Sequence, residues 1–69
     1  MDNKLLKLGR SIKKQREKLG YSQERLAEIC GFDRTYISML ERGKRNLSFL
    51  NLYRLTVGLK TSISKLCKD

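Results

Sequence analysis

Apolar residues recur at intervals of three and four positions along the whole chain, which is the spacing of amphipathic helices. β-branched residues are scattered and do not alternate with polar ones, so the pattern does not favour strands. Proline is absent, and glycines separate the periodic segments. The pattern therefore predicts an all-α fold of five helices, over residues 3–19, 23–30, 34–42, 49–59 and 63–67.

Two short helical patterns in the middle of the chain are separated only by a Gly-Phe turn. Ser22 and Asp33 precede these patterns, and each side chain can accept a hydrogen bond from an unpaired backbone N–H of the helix that follows. Gly31 can take a left-handed conformation without a steric penalty, and Ala27 is small where two helices must approach closely. Residues 22–42 therefore predict a helix-turn-helix, the motif that places its second helix in a DNA groove.

The chain is strongly basic for its size. Sixteen Lys and Arg against seven Asp and Glu give a net charge of +9 on 69 residues. Such a surplus indicates a polyanionic partner. The alternative is that the positive charge serves only to keep the protein soluble. The length leaves room for a single DNA-binding domain, residues 1–69, with a small core.

The residue types that hold metals or perform catalysis are scarce. Histidine is absent, and Cys30 and Cys67 form no C-x-x-C pair and are too few for a structural zinc site. We therefore expect no metal, no cofactor and no enzymatic activity, since a recognisable nucleophile–base pair is also lacking. Residues 1–10 lack the apolar stretch of a signal peptide, and no later run could span a bilayer, so we expect a cytoplasmic protein without a membrane partner.

Residues 12–66, about four-fifths of the chain, resemble the Cro-like, phage-repressor family of bacterial DNA-binding domains. The run S-Q-E-R-L-A from Ser22 and the run E-R-G from Glu41 carry this resemblance. Residues 33–48, DRTYISMLERGKRNLS, are similar to the same stretch of restriction–modification controller proteins. The resemblance implies a homodimeric transcriptional regulator that activates at one operator occupancy and represses at a higher one. Its partners would be double-stranded DNA with a palindromic operator and, as a further candidate, RNA polymerase.

Two residues depart from the family pattern. Arg25 replaces the Glu that usually completes a reciprocal capping box, which predicts a weaker start of the second helix. Lys60 stands where the family commonly has Gly, which predicts a different end of the fourth helix.

The first turn of the second motif helix is the part expected to meet base edges. Arg34 can donate two hydrogen bonds to guanine O6 and N7, and Thr35 offers a hydroxyl and a methyl group. Outward positions remain on this helix because its buried stripe passes through Ile37 and Leu40. The residues expected to read bases are Arg34, Thr35, Tyr36 and Ser38.

Two of these residues have alternatives. Tyr36 can pack on a sugar or a thymine methyl, and the resemblance to controller proteins implies that it reads DNA beside Arg34 and Thr35. The alternative for Tyr36 is a half-buried helix residue. The alternative for Arg34 is a phosphate contact without sequence information, since phosphates and sugars take half or more of protein–DNA hydrogen bonds.

A second group of residues is expected to contact phosphates. Gln23 begins the first motif helix, whose free N–H groups and positive dipole end suit a phosphate oxygen, and the family resemblance implies the same role. The loop after the second motif helix and the cap that follows supply Lys44, Arg45, Asn46 and Ser48. The alternative is a solvated loop, which we favour only for Lys44.

Two charges interrupt apolar stripes. Arg16 continues the buried stripe of Ile12 and Leu19 in the first helix, and Glu41 continues that of Ile37 in the third. A buried charge is costly unless it is paired, so we predict an Arg16–Glu41 salt bridge, which the family resemblance also implies. The alternative is that each charge reaches water at the edge of its stripe.

The fourth helix has more apolar positions than one core needs. A core-facing stripe is formed by Phe49, Leu52, Leu55, Thr56 and Leu59. A second strip is predicted to form a homodimer interface, because an exposed apolar strip usually marks a contact surface. This interface set comprises Leu50, Tyr53, Val57, Ile63 and Leu66. One alternative is that these residues are scattered on the surface of a monomer. Another is that Ile63 or Leu66 closes the monomer core.

An antitoxin of a toxin–antitoxin pair is the alternative function on the same scaffold. Such antitoxins often carry an additional toxin-binding segment, and only Lys68 and Asp69 follow Cys67 in this chain. We therefore favour the sequence-specific controller.

Overall fold

The computed structural model describes residues 4–67 as five packed helices. The all-α fold expected from the pattern is confirmed, and the described residues include no strand. Each helix end lies within one residue of its expected position, except that the expected start at Asn3 falls outside the described residues. The helices are α1 Lys4–Lys18, α2 Gln23–Cys30, α3 Arg34–Glu41, α4 Phe49–Gly58 and α5 Ile63–Leu66.

Capping side chains begin the four helices that follow α1. Ser22 Oγ accepts a hydrogen bond from the backbone N–H of Arg25 at 3.0 Å, and Asp33 Oδ2 accepts one from Thr35 at 2.9 Å. Serines cap α4 and α5 in the same way. The Arg25 side chain forms an exposed ion pair with Glu28 at 2.7 Å, so α2 retains only the serine half of a capping box.

Two residues in the left-handed conformation end α2 and α4. Gly31, with φ 76°, turns the chain from α2 into α3. Lys60, with φ 56°, is the only non-glycine residue among residues 4–67 with a positive φ. The N–H of Thr61 donates to Thr56 O at 3.0 Å, which is the hydrogen bond that normally accompanies a glycine at this place. Lys60 therefore ends α4 as a glycine would, but with the strain of a Cβ atom.

The core lies where all five helices meet. Ile12, Leu26, Ile37, Leu55 and Leu59 are fully buried. The first four of these residues come one from each of α1 to α4, and Leu59 directly follows α4. No single pair of helices therefore makes up the core.

Two assignments of apolar residues from the sequence need correction. Leu66 is buried, with 3% of its surface exposed, so it closes the monomer core and is not available to an interface. Phe49 was expected in the core but is 73% exposed. Phe49 begins α4 beyond the edge of the core. Leu47 from the preceding loop and Leu52 pack against the core instead.

The Arg16–Glu41 salt bridge is present. Arg16 Nε donates to Glu41 Oε2 at 2.6 Å, and Arg16 Nη2 donates to Glu41 Oε1 at 3.0 Å, with the side chains only 9% and 2% exposed. Arg16 Nη1 donates to Tyr21 O at 2.7 Å, and Gln23 Nε2 donates to Glu41 Oε1 at 3.0 Å. The hydrogen bond to Glu41 raises the pKa of the Arg16 guanidinium above its ordinary value. The pair therefore joins α1 to α3 and to the start of α2.

Candidate nucleic-acid interface

The first turn of α3 projects from the surface. Ile37 and Leu40 face the core and are almost fully buried, so the opposite face of α3 is turned to solvent. Arg34 and Thr35 are exposed on that face, and Ser38 is half-buried one turn later. Within residues 4–67 the Arg34 guanidinium has no hydrogen-bond or ion-pair partner. A planar donor group and a hydroxyl are thus presented side by side at a helix N-terminus.

Tyr36 lies in a different environment from its neighbours. It is half-buried, and its ring centroid lies 5.0 Å from that of Phe32. Its hydroxyl accepts a hydrogen bond from Asn51 Nδ2 at 3.0 Å, and the Arg45 guanidinium lies 5.3 Å from the ring centroid. This environment is the one that the sequence left as the alternative for Tyr36. The hydroxyl accepts this hydrogen bond, so its own O–H can still donate to DNA.

Gln23 occupies the first position of α2 and is half-buried. Its amide nitrogen donates to Glu41 Oε1 at 3.0 Å, so the Arg16–Glu41 pair orients this side chain. An amide carries two N–H bonds, and the second remains for an anion beside the backbone N–H groups of the first turn of α2.

The loop after α3 exposes four polar residues, and two of them accept hydrogen bonds from nearby backbone N–H groups. Asn46 Oδ1 accepts from the N–H of Leu47 at 3.1 Å, and Ser48 Oγ accepts from the N–H of Asn51 at 3.1 Å. These hydrogen bonds use oxygen atoms, so the Asn46 amide donors stay free to bind an anion. The exposed residues of this segment are Lys44, Arg45, Asn46 and Ser48.

Three residues near this surface were not predicted from the sequence. Arg42 is exposed at the end of α3, and the basic run that continues through Lys44 and Arg45 was the signal that could have found it. Asn51 contacts Tyr36 across 15 positions, and Arg54 contacts the α2–α3 turn across 24. No local pattern relates residues so far apart along the chain.

The outer face of α4 is apolar. Its large exposed side chains, here called the α4 strip, are Phe49, Leu50, Tyr53 and Val57, with 73%, 65%, 54% and 61% of their surfaces exposed. Three of these four were expected on the outer strip, and Phe49 adds to it. Ile63 is half-buried on α5. A monomer therefore leaves an apolar surface uncovered on α4.

The described part of the chain, residues 4–67, offers no candidate metal site and no membrane-spanning helix. No group of three or more His, Cys, Asp or Glu side chains in this part of the chain could hold a metal ion. No helix in it is long and apolar enough to cross a membrane. Both cysteines are free thiols, and burial raises the pKa of Cys30.

Comparison with known proteins shows the family of this chain. Residues 12–66 match the model of a helix-turn-helix family, HTH_3. Control protein C.MunI from Mycoplasma sp is 41% identical over an alignment of 70 positions, which covers 100% of this chain and 95% of that protein. The crystal structure of the restriction–modification controller protein C.AhdI from Aeromonas hydrophila is 39% identical with a TM-score of 0.87, covering 90% of this chain and 94% of that one.

A third relative was solved with DNA. The restriction–modification controller protein C.Esp1396I is a tetramer in complex with its natural 35 base-pair operator. It is 39% identical to this chain with a TM-score of 0.87, and the match covers 96% of this chain and 87% of that one.

Proposed function

This chain belongs to the helix-turn-helix family that contains restriction–modification controller proteins, and we propose that it regulates transcription of a restriction–modification operon. It binds operator DNA in a sequence-specific manner, with α3 in the major groove. The observation that carries this proposal is the exposed first turn of α3, where Arg34 and Thr35 face solvent. The similarity to C.Esp1396I, which binds its own operator, supports the same role for this chain.

The contacts to DNA divide into readers and anchors. Arg34 and Thr35 read base edges, with Ser38 behind them, because they are the exposed polar groups of α3. Tyr36 contributes its ring edge while its hydroxyl remains bonded to Asn51. Gln23 holds a phosphate on the α2 side. Arg45 and Asn46 of the loop and Ser48 at the start of α4 hold phosphates on the other side, whereas Lys44 is a solvated loop residue.

The protein acts as a homodimer. A second copy covers the α4 strip, with half-buried Ile63 at its margin, around a two-fold axis. The two α3 helices then enter successive major grooves, which requires a palindromic operator with half-sites about 34 Å apart. Activation of a promoter from this position requires a contact with RNA polymerase.

The direct test is a footprint on the DNA upstream of the gene for this protein. We expect protection of a palindrome whose half-sites are separated by about one helical turn. Genes for a methyltransferase and an endonuclease beside it would identify the operon. Protection that is equal on operator and scrambled DNA would contradict sequence-specific binding.

Single substitutions separate reading from anchoring. Arg34→Ala should cost about 1–3 kcal/mol on the operator and relax the preference at one base pair, because a bidentate guanine contact is lost. Arg45→Ala should weaken binding to all sequences similarly and reduce the salt slope by about one unit. Titrations of both variants on operator and scrambled DNA measure this difference. Equal losses on both DNAs for Arg34→Ala would make Arg34 an anchor.

A further inference from the structure

Arg54 reaches from α4 to the turn between α2 and α3. Its Nη2 atom donates to Cys30 O at 2.8 Å and lies 3.2 Å from Gly31 O. Its guanidinium carbon lies 4.4 Å from the centroid of the Phe32 ring. One side chain therefore contacts three consecutive residues, the last residue of α2 and both residues of the turn before the cap of α3.

A cation stabilises the end of a helix, and the last turn of α2 supplies none of its own. The last carbonyl groups of a helix lack intrahelical partners, and they form the negative end of its dipole. The last turn of α2 contains no basic residue. The Arg54 guanidinium fills this place with hydrogen bonds, a positive charge and a planar surface for the Phe32 ring.

Gly31 is suited to this contact in two ways. Its φ of 76° favours glycine, and a Cβ atom on Gly31 would lie 2.7 Å from Arg54 Nη2. A side chain at position 31 would therefore displace the end of Arg54 from the turn.

The contact continues into the recognition helix. The Phe32 ring packs on Tyr36, whose hydroxyl is held by Asn51, a second residue of α4. Arg34 and Thr35 lie between Phe32 and Tyr36 in the chain. The two base-reading residues are therefore bracketed by contacts that both originate from α4.

We propose that Arg54 is a positioning residue for sequence reading, which sets the angle at which α3 enters the major groove without itself contacting DNA. This inference rests on the proposed function. Base-edge hydrogen bonds are short and directional, so they weaken when a helix tilts. Contacts to phosphates carry no sequence information and depend mainly on charge. Loss of Arg54 should therefore reduce discrimination between sequences more than it reduces binding to DNA in general.

Two substitutions separate the charge of Arg54 from its geometry. Arg54→Lys keeps the charge but loses the planar group and its fork of donors, and Arg54→Met keeps only the apolar stem. We expect both variants to lower the ratio of operator affinity to scrambled-DNA affinity by roughly tenfold or more, the effect of about one misplaced base contact. For Arg54→Lys, affinity for scrambled DNA and the salt slope should stay unchanged.

The measurement is a titration of operator and scrambled duplexes at several salt concentrations, well below the melting temperature of each variant as measured by circular dichroism. Lys13→Met is the control for charge, because Lys13 is exposed on α1 and its loss changes the net charge by the same amount as Arg54→Met. This control should keep the wild-type affinity ratio.

Two results would overturn the assignment. Equal losses on both duplexes, with a salt slope lower by about one unit, would make Arg54 a phosphate contact. A lower melting temperature with an unchanged affinity ratio would leave it with a purely structural role. Failure of the proposed function looks different, since the wild-type protein itself would then bind operator and scrambled DNA equally.

Discussion

At the scale of single residues, Lys60 holds a conformation that favours glycine, with φ 56°. Lys60→Gly should stabilise the fold by roughly 0.5–1 kcal/mol, because relief of a left-handed strain of about 1–2 kcal/mol exceeds the added entropy of the unfolded chain, about 0.4–1 kcal/mol. Urea unfolding measures this gain. Lys60→Ala is the control, since it removes the charge but keeps the Cβ atom, and its stability should be close to that of the wild type. Equal gains from both variants would assign the effect to charge.

The Arg16–Glu41 pair offers a second test at this scale. Arg16→Met should destabilise the protein by about 3–5 kcal/mol, because it leaves the Glu41 carboxylate buried without a cation. Arg16→Met/Glu41→Leu should recover most of that loss, since no uncompensated charge remains. Urea titrations of the wild type and of both variants measure these free energies of unfolding.

The exposed Arg25–Glu28 pair is the matched control for this test. Its side chains are 58% and 70% exposed, so Arg25→Ala should cost less than about 1 kcal/mol. A loss of that small size for Arg16→Met would contradict the burial of the Arg16–Glu41 pair.

At the scale of the elements, α4 performs three tasks on three faces. Leu55 packs in the core, Asn51 contacts Tyr36 of α3 and Arg54 contacts the α2–α3 turn, and the α4 strip faces solvent. A helix with apolar residues on more than one face needs more than one partner. Within residues 4–67, α2 and α5 pack against α4 but its outer face stays exposed, which is why we assign the strip to a second copy.

Substitutions in the strip test this assignment. Leu50→Glu and Tyr53→Glu each place a charge on the expected interface, so both variants should sediment as monomers at micromolar concentration while the wild type sediments as a dimer. Lys13→Gln is the control, because it changes the net charge as Leu50→Glu does but lies on α1, and it should remain dimeric. Identical sedimentation of the wild type and both glutamate variants would refute the interface.

At the scale of the whole molecule, a rigid dimer imposes a fixed spacing on its operator. Two α3 helices about 34 Å apart reach half-sites separated by one helical turn. Insertion of about five base pairs between the half-sites turns the second one to the opposite side of the duplex. We expect affinity to fall to that of a single half-site, as measured by titration. A duplex of equal length with the extra base pairs outside the operator should bind normally, and tight binding to both would contradict a rigid dimer.

Features that depend on near neighbours could be predicted from the sequence alone. The helix bounds, the Ser22 and Asp33 caps and the left-handed Gly31 involve residues at most a few positions apart. The family was also evident, because the motif residues are contiguous. The Arg16–Glu41 contact is long-range, yet each partner was the one charge that interrupted its stripe, so the pairing followed from the cost of burying either alone.

The tertiary structure decided which apolar residues are buried and which polar residues meet. Phe49 and Leu66 both fit the helical period, but only the way in which α4 and α5 cross the other helices leaves one exposed and buries the other. The contacts of Tyr36 with Asn51, and of Arg54 with the α2–α3 turn, have no signature in the sequence. Helical periodicity specifies the direction of a side chain relative to its own helix, whereas its partner depends on the packing of that helix against the others.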